Sequence, residues 1–431
     1  MHRQPVTGNL PSAPTVFDVL RRYRDLRYVL SAQLLSTLGN WMLLVAAPFY
    51  MLEVTDSAAA SGLTFVAESA PAVLLGPFAG VLVDRMDRRQ AMLMADSIRI
   101  GSVLLMLLAQ NPDHLWALFA GLAIGSALSQ VNQPARAALL PQIVGRGPDL
   151  SRSNALANAG ISTIQIVAAP LGGILYVAFG FEVAVLVNAA TYALSALLLL
   201  RVKRRGVVRL DTSARGLCGV LNDVKGGLVE IRNSRPIRAI TTTSSFFMLG
   251  NGAVNALLVA YLGQQLNLSA ATLGLLFAGL GVTSVLTAPV ASRIIDRFAP
   301  RLVVTSALLV VAIGFTLLFN IPNVPLAITM FLILGPPLVI YGVSTETLVQ
   351  RNTSDHAMGR VSATYRTANR AASLIGEVGG ISLVVLIGLN ATLNLAVTAL
   401  LVGAISALFL PQSTYSPESD SESAPREPTN K

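Results

Sequence analysis

The sequence predicts an all-α membrane protein with twelve transmembrane helices arranged as two six-helix bundles. Composition is the first observation, because 53% of the 431 residues are hydrophobic and 12% are charged, whereas about a quarter of a soluble protein is charged. Second, apolar stretches of roughly 20 residues, the length that crosses a bilayer, recur along almost the whole chain. Third, basic residues occupy alternate gaps between these stretches. A soluble core requires neither regularity.

The apolar segments define the predicted spans. They lie near residues 28–50, 62–83, 91–110, 115–131, 155–178 and 181–200, and then near 239–262, 271–292, 302–320, 325–345, 362–388 and 391–410. The first apolar run is too long for the core of a signal peptide, so we interpret it as an uncleaved span. The predicted domains are the cytoplasmic segment 1–27, the bundle 28–200, the linker 201–238, the bundle 239–410 and a disordered cytoplasmic tail, 411–431, rich in Ser, Glu and Pro.

The distribution of charge predicts the orientation. The chain has 31 Lys and Arg residues and a net charge of +9, yet gaps such as 51–61 and 263–270 contain none. By the positive-inside rule, the basic gaps and both termini are cytoplasmic, in a bacterial inner (plasma) membrane. Basic residues dispersed in this way do not form a nucleic-acid-binding patch. The single cysteine and three unclustered histidines predict no disulfide, metal site or cofactor.

The linker between the halves is the one long gap in the pattern. Within it, Leu217, Leu221, Val224, Leu228 and Ile231 recur at helical spacing among charged residues. This pattern predicts an amphipathic cytoplasmic helix lying along the membrane surface. The alternative is a flexible linker with chance periodicity.

A short charged turn occurs once in each half. After the second span, the pattern Gly-x-x-x-Asp-Arg-x-x-Arg-Arg is made by Gly80, Asp84, Arg85, Arg88 and Arg89. After the eighth span, the corresponding turn contains Asp296, Arg297 and Arg301. The two aspartates lie at equivalent points 212 residues apart, which indicates an internal repeat of a six-helix unit.

The first turn resembles the motif that the major facilitator superfamily carries between its second and third spans. Segments typical of the branch of macrolide efflux pumps and the enterobactin exporter also occur, at Ser36–Trp41, Leu75–Gly80, Asn132–Pro141, Gln350–Arg351 and Gly359–Val361. This resemblance implies the major facilitator fold, a monomer working by alternating access, and export of amphipathic small molecules, such as a drug, siderophore or secondary metabolite, by proton antiport.

The chemistry of the repeated turn suits a moving part. Gly80 permits close helix crossing, and a carboxylate in a short turn can pair with a guanidinium group. We expect Arg136 to pair with Asp84 and Arg351 with Asp296, so that each pair stabilises one conformation. The alternative is that these charges fix topology alone and remain in water.

Ionisable side chains at membrane depth usually face a cavity and take part in transport. Glu68 and Glu377 have no cation one turn away, and burial of such an acid favours its protonated form. They are the proton-coupling candidates, with a structural role as the alternative. Asp96 is a third candidate, although Arg99 one turn away favours a self-neutralised structural pair. The candidate cavity residues are Gln33, Asn40, Arg99, Gln165, Asn188, Asn251, Asn255 and Arg370.

Several functions stay open at this point. Asn40 stands where the family often has an acid, which excludes a proton-carrying role there. The segment Ala169–Gly173 is one residue short of the family's antiporter motif, so import of a nutrient or transport of a lysophospholipid remains an alternative. A membrane scaffold is disfavoured because both charged turns are intact. An enzyme or ATP-driven pump would need a nucleophile with its base or a phosphate-binding loop, and the sequence has neither. The expected partners are a small-molecule substrate, protons and lipid.

Overall fold

A computed structural model describes residues 16–203 and 217–410. Within these ranges the chain is almost entirely helical. The helices are α1 (Val16–Arg22), α2 (Arg24–Thr55), α3 (Ala58–Asp84), α4 (Arg88–Leu105), α5 (Trp116–Val144), α6 (Pro148–Leu200), α7 (Leu217–Asn233), α8 (Arg235–Gln264), α9 (Ala270–Arg297), α10 (Pro300–Asn320), α11 (Val324–Arg351), α12 (Asp355–Ile387) and α13 (Leu389–Ser406). Short 3₁₀ turns follow α4 and α13.

The described ranges contain the twelve predicted spans. Eleven helices are long and apolar enough to cross a membrane. One of them, α6, contains two spans, because Gly180 has φ 80° and ψ 179° and interrupts the helix. The fold is therefore an all-α arrangement of two six-helix bundles, as the sequence predicts.

The same glycine turn occurs at the equivalent place in the second half. Gly388 lies between α12 and α13 with φ 83° and ψ 169°. This backbone region is essentially accessible to glycine alone. Each glycine joins the last two spans of its half without an intervening loop, so the internal repeat extends beyond the charged turns.

Helix packing also repeats between the halves. In the first half α5 packs against α3 and α4, and in the second half α11 packs against α9 and α10. The two bundles meet where α6 contacts α9 and where α3 contacts α12 and α8. Space between the bundles is therefore bounded by helices from both.

Some predicted spans are shorter than the observed helices. The fourth span was expected to end at residue 131, yet α5 continues to Val144 and contains Pro134 and Pro141. The eleventh was expected to begin at 362, yet α12 begins at Asp355. Hydropathy underestimates the length of these helices because their ends carry polar residues, which face a cavity or the membrane surface. The helical backbone continues through these residues unchanged.

The halves are in close contact on one side of the membrane. We call this side the arginine-free face, because its loops, such as 56–57 and 265–269, contain no Lys or Arg; the opposite side is the arginine-rich face. A Cβ at Gly274 would lie 2.5 Å from the carbonyl oxygen of Ala169. The Gln264 amide donates to the Asp56 carbonyl oxygen at 3.2 Å. Small residues thus let the two bundles close this face.

The linker contains the predicted helix. α7 packs against α12 and α8, and there is no space for a side chain at Gly227, which lies against Thr364. Ile231 is buried and Leu228 is exposed, whereas the side chains of Leu217, Leu221 and Val224 lie outside the described part. The expected position of α7 along the membrane surface stays a prediction.

Replacing Gly180 with Ala should destabilise the protein through backbone strain. No described atom lies within 4 Å of a Cβ built there, so steric contact adds nothing, and residues forced into such φ/ψ regions cost about 1–3 kcal/mol. We expect Gly180→Ala to lower the apparent melting temperature in detergent. The matched control is Gly379→Ala, which is also in open space but helical and should leave stability unchanged or raise it. Equal behaviour of the two variants would contradict this explanation.

Candidate substrate cavity

Two adjoining cavities lie between the bundles. The larger, of about 550 Å³, is lined mainly by the first half and reaches from Asn40 to Arg136 near the arginine-rich face. The second, of about 340 Å³, lies between α3 and α12. Their walls share Glu68, Ser129, Gln130 and Arg370. Volumes of 300–1,000 Å³ accommodate drug-sized ligands.

A third, smaller cavity extends from Glu68 towards the arginine-free face. It measures about 60 Å³ and is lined by Asn40, Arg99 and Asn188, and by Met106 at the end of α4. Asn188 is 1% exposed, and its Nδ2 has no hydrogen-bond partner in the described part of the chain. The space and the unpaired amide suit bound water. Glu68 therefore lies where all three cavities meet.

Asp96 is held by three helices of the first bundle. The side chain is 1% exposed, and Arg99, on the same helix, is 3% exposed, with 3.7 Å between Arg99 Nη1 and Asp96 Oδ1. Asn132 Nδ2 donates to Asp96 Oδ1 at 2.8 Å, and Ser195 Oγ donates to Oδ2 at 2.5 Å. A buried carboxylate with this many donors is a satisfied structural group.

Arg99 links the same network to α2 and α6. Its Nη2 donates to Asn40 Oδ1 at 3.1 Å, and its guanidinium carbon lies 4.3 Å from the centre of the Tyr192 ring. The Tyr192 hydroxyl also donates to Asn40. Asn40 therefore accepts two hydrogen bonds, which explains how an amide replaces the acid common at this position in the resembled family.

The two buried glutamates have different surroundings. Glu377 is 6% exposed and accepts hydrogen bonds from Ser373 Oγ at 3.1 Å and from Ser69 Oγ across the interface between the halves. The half-buried Glu68 has no direct hydrogen bond or ion pair to its carboxyl group among the described residues. Its backbone carbonyl accepts from Ser126. Glu68 is the less constrained acid.

Two arginines line the cavities without a carboxylate partner among the described residues. Arg136 is half-buried on α5, and Arg370 is exposed to the cavity on α12. Arg366, one turn before Arg370, is instead paired with Glu346 at 2.9 Å. Uncompensated charge thus concentrates on the cavity wall.

The remaining candidates differ in position. Gln33 lines the larger cavity and Asn255 the one between the halves. Gln165 is exposed on α6, Asn251 is half-buried on α8, and the linings of these three cavities contain neither. Hydropathy gives the depth of a polar residue but not the rotation of its helix, which decides whether it faces a cavity.

Sequence reasoning missed several uncharged cavity residues. These are Ser69, Ser129, Gln130 and Asn132. Hydroxyl and amide groups are common in transmembrane helices, where they form hydrogen bonds to their own backbone. Their presence in a span therefore does not indicate that they face a cavity. The recurrence of Ser126, Ser129 and Gln130 on one turn of α5 was the available signal.

One of the two ion pairs expected at the charged turns is present. Arg351 Nη2 donates to Asp296 Oδ1 at 2.9 Å, as expected from the sequence. The side chain of Asp84 lies outside the described part, and Arg136 has no ion pair there. Arg89 donates to the carbonyl oxygens of Leu199 and Leu200 at 2.8 and 2.6 Å, and so caps the C-terminal end of α6.

The other basic residues of the turns face different surroundings. Arg88 is buried, whereas Arg85 and Arg297 are exposed and Arg301 is half-buried. The expected close crossing at Gly80 is wrong for this conformation, because no described atom lies within 4 Å of a Cβ built there. The tight glycine contacts between the two halves, such as that of Gly274, lie nearer the arginine-free face.

These features define a membrane transporter: two six-helix bundles enclose a polar cavity at membrane depth that both halves line. The model of the Major Facilitator Superfamily matches residues 29–377 and 240–430. The chain belongs to this family.

Individual relatives are distant but cover most of the chain. The MFS-type transporter YfiS of Bacillus subtilis, which is uncharacterized, is 24% identical over 372 residues, covering 84% of this chain and 87% of YfiS. The multidrug efflux pump Tap of Mycolicibacterium fortuitum is 25% identical over 407 residues, covering 89% of this chain and 95% of Tap. The nucleoside transporter NupG has a similar structure, with a TM-score of 0.74, 13% identity, and coverage of 89% of this chain and 99% of NupG.

Asp96→Asn should destabilise the first bundle because it leaves the Arg99 charge without its carboxylate. Removing one partner of a buried ion pair costs roughly 3 kcal/mol. We expect a lower apparent melting temperature in detergent, and partial recovery in the double variant with Arg99→Gln. Glu346→Gln is the control, because its pair with Arg366 is exposed and such pairs contribute about 0–1 kcal/mol. Equal stability of Asp96→Asn and the parent would contradict a structural role.

Proposed function

We propose that this protein is a secondary active transporter that exports amphipathic small molecules by alternating access. The observation that carries the proposal is a drug-sized polar cavity, bounded by both halves and lined by carboxyl groups at membrane depth. The similarity to the efflux pump Tap over most of both chains favours export over import. The cavity is complete within one chain, so a monomer is the proposed functional unit.

The proposed orientation places the arginine-rich face in the cytoplasm of a bacterial inner membrane. The positive-inside rule supports it, and both termini then lie in the cytoplasm. The bundles are closed at the arginine-free face by the contacts of Gly274 and Gln264, and the larger cavity extends to Arg136 on the other side. This is the arrangement in which an exporter takes up substrate from inside the cell.

Alternating access requires the bundles to separate at the arginine-free face and to approach each other at the opposite face. The contacts at Gly274 are with backbone atoms of Ala169 and Pro170, and the hydrogen bond from Gln264 to Asp56 is exposed. The Asp296–Arg351 pair is exposed, so water can replace it at small cost. We propose that the charged turns regulate this exchange.

Glu68 is the favoured carrier of a coupling proton. It adjoins the substrate-sized cavities on one side and the 60 Å³ cavity on the other, and its carboxyl group has no direct hydrogen bond among the described residues. A carboxyl in this place can exchange a proton through water while substrate occupies the larger space. Glu377 is the second candidate, and Asp96, held in its network, is the third.

Glu68→Gln should abolish coupling to the pH gradient. Purified protein in proteoliposomes would be tested with an imposed pH gradient against antibiotics, siderophores and lysolipids. We expect uphill movement of an amphipathic compound by the parent, and downhill movement alone by Glu68→Gln, because an amide cannot carry the proton. Ser129→Ala, at the same junction of cavities, is the control that should retain coupling. Uphill transport by Glu68→Gln with unchanged pH dependence would exclude this residue, and transport of lysolipids alone would replace the proposed substrate class.

Asp296→Asn should slow transport while leaving membrane insertion unchanged, because hydropathy governs insertion and the charged turn governs exchange between conformations. We expect a several-fold lower rate at equal membrane abundance, and similar effects for Asp84→Asn, Arg351→Ala and Arg136→Ala. Asp113→Asn, a carboxylate on the arginine-free face, is the control. Parental rates in all four variants would show that the turns determine topology alone.

A further inference from the structure

We infer that the cavity binds a dipolar substrate, with a cationic amine at Glu377 and an anionic group, such as a carboxylate or phosphate, at Arg370. This inference rests on the proposed transport function and specifies its substrate class. Two opposite charges lie on one wall of one cavity. Both residues lie on α12, both line the cavity between the halves, and neither is paired with an opposite charge among the described residues.

Arg370 offers an unused guanidinium group to the cavity. It is exposed, lines both substrate-sized cavities, and makes no ion pair or hydrogen bond among the described residues. Arg366 on the same helix is paired with Glu346, and Arg99 is compensated by Asp96. A guanidinium binds carboxylate and phosphate through two parallel hydrogen bonds, so an anionic group is its natural ligand.

Glu377 is arranged as an acceptor of positive charge. The hydroxyl groups of Ser373 and Ser69 donate to its two carboxyl oxygens, so each oxygen acts as an acceptor, as in an ionised carboxylate. Each oxygen retains a lone pair for a further donor, which an ammonium group can supply. Ser69 belongs to α3, so the site combines groups from both halves.

The spacing prevents the two charges from neutralising each other. Arg370 and Glu377 are separated by seven residues, a rise of roughly 10 Å along a helix, and no ion pair joins them. Asn255, Ser129 and Gln130 line the same space and supply further uncharged hydrogen-bonding groups. A ligand with opposite charges at its two ends can contact both residues, whereas a singly charged ligand leaves one of them uncompensated.

The test compares three forms of one carbon skeleton. The zwitterion 8-aminooctanoic acid carries both charges at the ends of an extended chain, its methyl ester carries the positive charge alone, and its N-acetyl derivative carries the negative charge alone. Trp41 lines the larger cavity and is one of two tryptophans, so Trp116→Phe makes it the sole reporter. Binding to the full-length protein would be measured by Trp41 fluorescence, without any pH gradient.

We expect the zwitterion to bind at least tenfold more tightly than either derivative. Arg370→Gln should reduce its affinity to that of the methyl ester, and Glu377→Gln to that of the N-acetyl derivative. Arg370→Lys should preserve the preference in part because it keeps the charge, and Arg366→Gln should leave all affinities unchanged. The shorter 4-aminobutanoic acid should bind more weakly because it cannot reach both residues.

Selectivity and transport are separate readouts. Preference for the zwitterion without uphill transport would overturn the proposed exporter function and leave the binding site intact. Equal binding of the methyl ester and the zwitterion, an unchanged preference in Arg370→Gln, or no binding of the zwitterion would overturn the inference. Because the Arg370 side chain is exposed, we expect the Arg370→Gln variant to fold like the parent. Equal melting temperatures of the two proteins would verify this.

Discussion

Charge is costly inside a hydrocarbon layer, and this cost organises the whole molecule. An Arg or Asp at the centre of a spanning helix is disfavoured by about 3 kcal/mol or more, so each must have a partner, a helix end or a water-filled space. Asp96 and Arg99 satisfy each other with help from Asn132 and Ser195. Arg89 uses the carbonyl groups at the end of α6. The charges that remain are gathered at the cavity, where water or substrate can compensate them.

The two halves repeat each other in backbone but not in chemistry. Gly180 and Gly388 occupy equivalent turns with nearly the same φ and ψ, and the charged turns end equivalent helices. The cavity wall departs from this symmetry, because the first half supplies the compensated Asp96–Arg99 network and the second half places two opposite charges without charged partners among the described residues, Arg370 and Glu377, on one helix. The repeated part suits a symmetric rocking motion, and the unrepeated part suits recognition of one substrate orientation.

Glu68 and Glu377 line the same cavity, and their surroundings favour different tasks. Two hydroxyl donors from opposite halves hold the Glu377 carboxyl group in one position, and a residue that binds substrate needs a fixed position. Glu68 lies where three cavities meet and is not held by such donors. In an antiporter the proton and the substrate must influence each other without occupying the same atoms, and two acids on different helices of one cavity meet that requirement.

Local chemistry was enough to predict the spans, the repeat and the family, because hydropathy, the alternation of basic gaps and the turns at Asp84 and Asp296 are properties of short segments. The Asp96–Arg99 pair was predictable for the same reason, since one helical turn separates the residues. The sequence could not show that Glu68 and Glu377 share a cavity, that Ser69 bonds to Glu377, or that Gln165 is not part of the lining of that cavity. Those facts depend on how each helix is rotated about its axis and packed against distant helices, and only the tertiary structure decides that.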